Sequence, residues 1–155
     1  MAELDYIDTR LLEMLQSNAQ TSAQRLSEVL NLSPSQVGRR RQRLEQDGYI
    51  TGTSCKVSAE KLGLSVQAFI EIQTGAQTAE THSAINRLIQ SEREITAAWT
   101  MTGDADYLLR VFCTDLSALN RLIQNVLLPH PSIGHVHSQI VMDQLKADAA
   151  LPVTG

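Results

Sequence analysis

Apolar positions recur at helical spacing through the first fifty residues. In LDYIDTRLLEMLQ, Leu4, Ile7, Leu11, Met14 and Leu15 form one stripe, which predicts an amphipathic helix. A second helix is predicted in TSAQRLSEVL, where Thr21 and Gln24 stand at capping-box spacing and Leu26, Val29 and Leu30 carry the stripe. SPSQ then supplies a stronger start: Ser33 as N-cap, Pro34 at the first helical position and Gln36 reaching back. This third helix runs to Gly48, and YITGTSCKVS beyond it has turn and strand character suited to a wing. Two short helices joined by a tight turn, after a stabilising helix and before a small strand pair, describe a winged helix-turn-helix over residues 1–52.

After a connector at 53–63 the period changes. SVQAFIEIQ alternates, with Val66, Ala68, Ile70 and Ile72 on one face. AETHSAINRLIQ returns to helical spacing through Ala84, Ile85, Leu88 and Ile89, and ITAAWTMT alternates through Ile95, Ala97, Trp99 and Met101. A turn at GDAD leads into the strand YLLRVFC. Asp115 then caps a helix with Leu119, Leu122, Ile123 and Val126 inward, PHPSIG breaks it, and HVHSQIVMDQL reads as a last strand. The order β-α-β-β-α-β predicts a ferredoxin-like domain over 64–155, so the chain as a whole is α+β.

Charge sharpens the reading of the third helix. The 155 residues carry a formal net charge of -4, yet Arg39, Arg40, Arg41 and Arg43 lie within five positions. Residues 1–56 hold seven basic and seven acidic side chains, with the acids early and the arginines late, so the excess of acid belongs to the rest of the chain. On a helical wheel Val37 and Leu44 share one side, while Ser35, Gln36, Arg39, Gln42, Arg43 and Gln46 lie opposite. Arg bonds guanine and Gln bonds adenine in paired fashion, and either holds phosphate. Ser33, Ser35, Gln36, Arg39, Arg40, Gln42 and Arg43 are therefore the candidate contacts to double-stranded DNA. The competing reading is a solvated face braced by Arg41–Glu45 and Arg43–Asp47. Arg41 lies near Val37 on the wheel, so its stem is expected to cover core while its head reaches outward.

The turn in TMTGDADYLLRV carries a different chemistry. Gly103 tolerates a positive φ that bares its N–H to an anion, and Asp104 and Asp106 offer carboxylates to an ammonium group, as a zwitterion requires. An ordinary Gly/Asp hairpin turn is the alternative. His130, His135 and His137 sit close in sequence, but no Cys, Asp or Glu stands near enough to complete a metal site. Cys55 and Cys113 are far apart and read as plain thiols. With no signal peptide, membrane span, nucleophile elbow or phosphate loop in the sequence, a cytoplasmic protein without enzymatic activity or cofactor is expected.

LDYIDTRLLEML, LSPSQVGRRRQRLEQDGYITG, KLG, TGDADYLLRV and SQIVMDQLK, in that order, resemble the Lrp/AsnC family of bacterial and archaeal regulators. The resemblance implies a DNA-binding winged helix, a ferredoxin-like domain that makes homodimers and often octamers, and an amino-acid effector bound between subunits. It implies further that Thr100, Thr102, Gly103 and Asp104 face a cleft where dimers join, with Ser138 on the last strand as an additional candidate. Two positions depart from the family pattern: Arg41 stands where an apolar residue is usual, and Gly38 where a longer aliphatic is usual. The expected function is a sequence-specific transcriptional regulator modulated by an amino acid. Two other classes are an amino-acid sensor acting through protein partners without DNA, and an enzyme on a ferredoxin-like scaffold, for which no motif speaks.

Overall fold

In the computed structural model, which describes residues 4–153, each of the first three helices starts on a side-chain cap. Helix α1 (Tyr6–Ser17) begins at Asp5, whose carboxylate accepts the Asp8 amide at 2.8 Å. Helix α2 (Ala23–Leu30) is capped by Ser22 rather than by the expected Thr21. The Thr21 hydroxyl is spent one residue earlier, donating to the Asn18 carbonyl at 2.7 Å and closing the α1–α2 turn. Helix α3 (Pro34–Gln46) has the expected box: the Ser33 hydroxyl accepts the Gln36 amide at 3.2 Å, and the Gln36 side chain accepts the Ser33 amide at 2.8 Å. Gly48, at φ +79°, takes the left-handed conformation that ends it.

These helices enclose a core of Leu11, Leu12, Leu15, Leu26, Val37 and Leu44. Val29, expected in it, is exposed, because the short α2 buries only Leu26 and Ser27. The wing strands are also absent among the described residues. Residues 51–58 form no ladder and are exposed, as a two-stranded ribbon without a hydrophobic face to cover gains too little to order itself. Residues 145–153 group with this unit rather than with the domain they follow. Gln16 holds Leu151 by both ends of its amide, at 2.7 and 3.1 Å, and Val153 packs on the core.

Gly38 lies on the exposed side of α3 with nothing within 4 Å of where a Cβ would be. Replacing it with Ala should therefore raise stability by about 1 kcal/mol, the difference in helix propensity, read as a higher denaturant midpoint at unchanged m-value.

The second unit spans residues 57–144. It contains β1 (Val66–Thr74), α4 (Ala79–Ser91), β2 (Ile95–Thr100), β3 (Tyr107–Cys113), α5 (Leu116–Arg121) running into a π-helical turn at Leu122–Leu127, and β4 (Ile133–Ile140). The strands form one antiparallel sheet in the order β2-β3-β1-β4, the expected βαββαβ fold. Ala68, Ile70 and Ile72 of β1 and Tyr107, Leu109, Val111 and Cys113 of β3 alternate onto one face, where Ile85, Leu119, Leu122 and Leu127 cover them.

Two expectations need correction here. The predicted face Ile95, Ala97, Trp99, Met101 is broken by a register shift after Ile95: Ile95 pairs with Val111 and Ala98 with Leu109 on the helix side, whereas Ala97 and Trp99 pair with Arg110 and Leu108 on the other. Thr96 is the extra residue of this bulge, and its hydroxyl donates to the Arg110 carbonyl at 3.2 Å. The second helix does face inward through Leu119, Leu122, Ile123 and Val126, and its wider π turn adds Leu127, fully buried, to them. Strand β4 starts two residues earlier than predicted and ends at Ile140, past which Met142 and Leu145 are exposed.

Candidate nucleic-acid interface and ligand turn

The arginine helix presents two polar stripes where the wheel suggested a single face. Ser35, Arg39, Gln42 and Gln46, spaced by four, three and four, are all exposed. Among the described residues the Arg39 guanidinium and the Gln42 and Gln46 amides have no partner; Ser35 touches only the Ser33 hydroxyl, at 3.0 Å. Gln36, Arg40 and Arg43 form the second stripe, turned about a quarter of the circumference toward α1. Arg40 donates to Asp5 at 2.6 Å and to Asp8 at 2.7 Å, and Arg43 donates to the other oxygen of Asp8. The alternative Arg43–Asp47 brace does not form, while Arg41 does pair with Glu45, at 3.0 Å. Its stem lines an apolar groove with Leu12 and Tyr49, the split between stem and head expected from the wheel.

Asp8 is the residue that sequence reasoning missed. It is 0% exposed, and a buried carboxylate is tolerated only with cations and donors around it. Its three-residue offset from Asp5 is legible as a capping box, but its partners lie 32 and 35 residues away. Burial pushes the Asp5 carboxyl up, yet the Asp8 amide and Arg40 outweigh this and hold it below the ordinary aspartate range. Hydrogen bonds to Asp5 and then to Asp8 raise the pKa of Arg40 in turn.

The candidate ligand turn joins β2 to β3. Met101 N–H donates to the Asp106 carbonyl at 2.9 Å, and Gly103 sits at φ +108°. Thr102, Gly103 and Asp104 are exposed; the Asp104 carboxylate and the Gly103 amide have no partner among the described residues. Asp106 is differently placed. One of its oxygens accepts the Thr74 amide and hydroxyl, both at 2.7 Å, and the other accepts Gln77 at 2.8 Å. The Thr74 bonds, amide first, hold the Asp106 carboxyl below its ordinary range. Asp106 thus ties the turn to the end of β1.

Beside the turn lies a cleft of about 340 Å³ lined by Thr74, Thr78, His82, Thr100, Met101 and Tyr107, among others. Within it His82 Nδ1 lies 2.6 Å from the Tyr107 hydroxyl. Burial, then the Asp106 charge, raises the Tyr107 pKa, so its hydroxyl stays protonated at neutral pH. His82 and Tyr107 were invisible as a pair because one is on α4 and the other on β3. Ser138 is not brought to this cleft within one chain: it pairs with Ile70 on β4, at the opposite edge of the sheet from Thr100 on β2. Among the described residues no group of three or more His, Cys, Asp or Glu is placed to hold a metal, and His137 instead faces Glu71 at 3.4 Å.

A helix-turn-helix unit followed by a ferredoxin-like ligand-binding domain is the architecture of a ligand-responsive DNA-binding regulator. Residues 4–51 match the winged helix-turn-helix DNA-binding family and residues 67–151 the Lrp/AsnC ligand binding domain. The DNA-binding transcriptional activator DecR of Escherichia coli K12 is 32% identical over 150 residues, covering 97% of this chain and 99% of that protein. A transcriptional regulator of Neisseria meningitidis, solved as a complex with L-methionine, superposes with a TM-score of 0.92 at 30% identity, over 97% of each chain. Escherichia coli AsnC does so with a TM-score of 0.87 at 28% identity, over 96% of this chain and 98% of its own. The chain belongs to the Lrp/AsnC family. It is a DNA-binding transcriptional regulator, and its relatives are regulators rather than enzymes, as the sequence led us to expect. No helix among the described residues is long and apolar enough to cross a membrane.

Proposed function

We propose that this regulator acts in the cytoplasm as a homo-oligomer, reading double-stranded DNA with Ser35, Arg39 and Gln42, anchoring on phosphate near Ser33 and Gln36, and responding to an amino acid held at the Thr100–Asp106 turn. Residues 1–52 would bind DNA, 53–63 connect, and the domain from residue 64 assemble and sense. The observation that carries the effector reading is a pair of groups without a partner among the described residues on one exposed turn, the Gly103 amide and the Asp104 carboxylate, beside a polar cleft. A zwitterion needs an anion site and a cation site a few ångströms apart. The methionine bound to the Neisseria relative supports an amino acid as the class of ligand. Asp106, already holding Thr74 and Gln77, would shape the turn while Asp104 receives the ammonium group.

Calorimetry of the full chain against the twenty amino acids, methionine among them, tests this. At least one should give saturable heat, and Asp104→Asn should weaken that binding about tenfold or more while DNA binding without ligand stays intact. No heat from any of them would mean that the turn is only a turn.

Assembly has its own support. The sheet face away from the helices carries Phe69 beside Arg110, and Leu108 between Glu71 and Trp99, with Phe112 beside Gln67. No element among the described residues covers these apolar groups, Trp99 being 45% exposed. Burying such a face in a two-fold pair supplies the duplicated symmetry that two DNA half-sites require. Phe112→Glu, which would set a charge in that interface, should shift the sedimentation of the chain from dimer or larger toward monomer at micromolar concentration. A parent chain that is already monomeric would count against the assembly reading. Effector binding across such an interface would shift the assembly by the ligand's difference in affinity between states, and DNA occupancy would follow. Ser138, remote from the turn in one chain, would meet it only across subunits.

A further inference from the structure

We infer that Asp8, assisted by Asp5, is a counter-ion latch that withholds Arg40 and Arg43 from DNA phosphate, so that binding leans on the reading stripe rather than on charge. The inference rests on the assignment of α3 to the DNA groove. Its geometry is specific. One oxygen of the fully buried Asp8 takes Arg40 at 2.7 Å and the other takes Arg43, while the more exposed Asp5 takes Arg40 from outside at 2.6 Å. Two carboxylates thus neutralise two guanidinium groups. Arg41 is likewise paired with Glu45, which leaves Arg39 as the arginine of the cluster without a partner among the described residues.

The position of the latched stripe explains why this matters. A helix with its side chains is about 10–12 Å across and the major groove about 12 Å wide, so the stripe about 100° around from the groove floor faces a wall of phosphates. Unpaired arginines there would bind any sequence, since each phosphate contact contributes the same counterion release whatever the bases. Held by Asp8 and Asp5, Arg40 and Arg43 meet phosphate only against competition from two carboxylates already at hydrogen-bond distance. The latch lowers affinity for random DNA more than for an operator, whose base contacts come from Arg39, Gln42 and their neighbours. Asp8 and Asp5 are positioning residues that touch no base themselves.

The test is the salt dependence of binding to a random-sequence duplex, measured by fluorescence anisotropy for the parent, Asp8→Asn and Asp5→Asn. Asn is as good an N-cap as Asp, so Asp5→Asn removes charge while keeping the start of α1, and it decides the question even where Asp8→Asn folds poorly. Each variant should bind random DNA more tightly than the parent. The log–log salt slope should steepen by about 0.9 for each additional phosphate neutralised, equivalent to a further tightening of about 3.5-fold on going from 200 to 50 mM salt. A duplex selected by the parent from a random pool should lose part of its preference over random DNA in both variants. Slopes equal to or shallower than the parent's in both variants, with any loss of binding common to all DNA, would reduce the pair to a structural brace and overturn the latch. A parent chain that binds no DNA at all would overturn the groove assignment as well, an outcome distinct from that one.

Discussion

Replacing both Arg40 and Arg43 with Ala should destabilise the N-terminal unit by about 3–5 kcal/mol, the cost of leaving a buried charge without its partners. Asp8 is fully buried, and after the double replacement the donor left to it among the described residues would be the Asp5 amide at 3.4 Å. Either single replacement leaves one cation in place and should cost less. Removing Asp8 instead frees two arginines that reach solvent, and so should cost less than removing both of them. Denaturation followed by hydrogen exchange separates the units: protection should collapse at Leu11, Val37 and Leu44 and persist at Ile70 and Leu109. Equal stability of parent and double variant would mean that Asp8 does not depend on these partners.

Arg39→Ala is expected to do the opposite. Its side chain is exposed and without a partner among the described residues, so stability should change by less than about 0.5 kcal/mol. DNA affinity should fall by about 1–3 kcal/mol, roughly 5- to 150-fold, if Arg39 makes a paired contact to a base. From the sequence Arg39 and Arg43 looked equivalent, two arginines of one polar face. The ion pair to Asp8 separates them: Arg43→Ala is expected to act on folding and Arg39→Ala on binding. Anisotropy on a selected duplex and a melt of the same preparation check both halves.

That separation shows where the sequence was legible. The helix starts at Ser33 and Asp115 and the alternation of Ala68, Ile70 and Ile72 are local: a cap acts within three residues, and a central strand shows its buried face by period two. The fold order followed from such signals. What escaped notice depends on a second element. The bulge at Thr96 is a property of two strands in register, so Trp99, whose alternation pointed inward, faces the open side of the sheet. The π turn at Leu122–Leu127 widens a helix whose sequence reads as ordinary, and so adds Leu127 to the core beside Leu119 and Leu122. Early acids and late arginines were both visible in residues 1–56, but their pairing required α1 and α3 to be packed together. At the ligand turn, positive φ at Gly103 was legible from residue type, whereas the diversion of Asp106 to Thr74 and Gln77 was not.

Selection of duplexes from a random pool by the full chain, with and without the amino acids, tests the central claim most directly. An amino-acid-responsive regulator with two copies of the α3 reading stripe should enrich a two-fold related pair of short half-sites, centred about one helical turn or a multiple apart. At least one amino acid should change the enrichment. A pool that stays random under every condition would contradict the account.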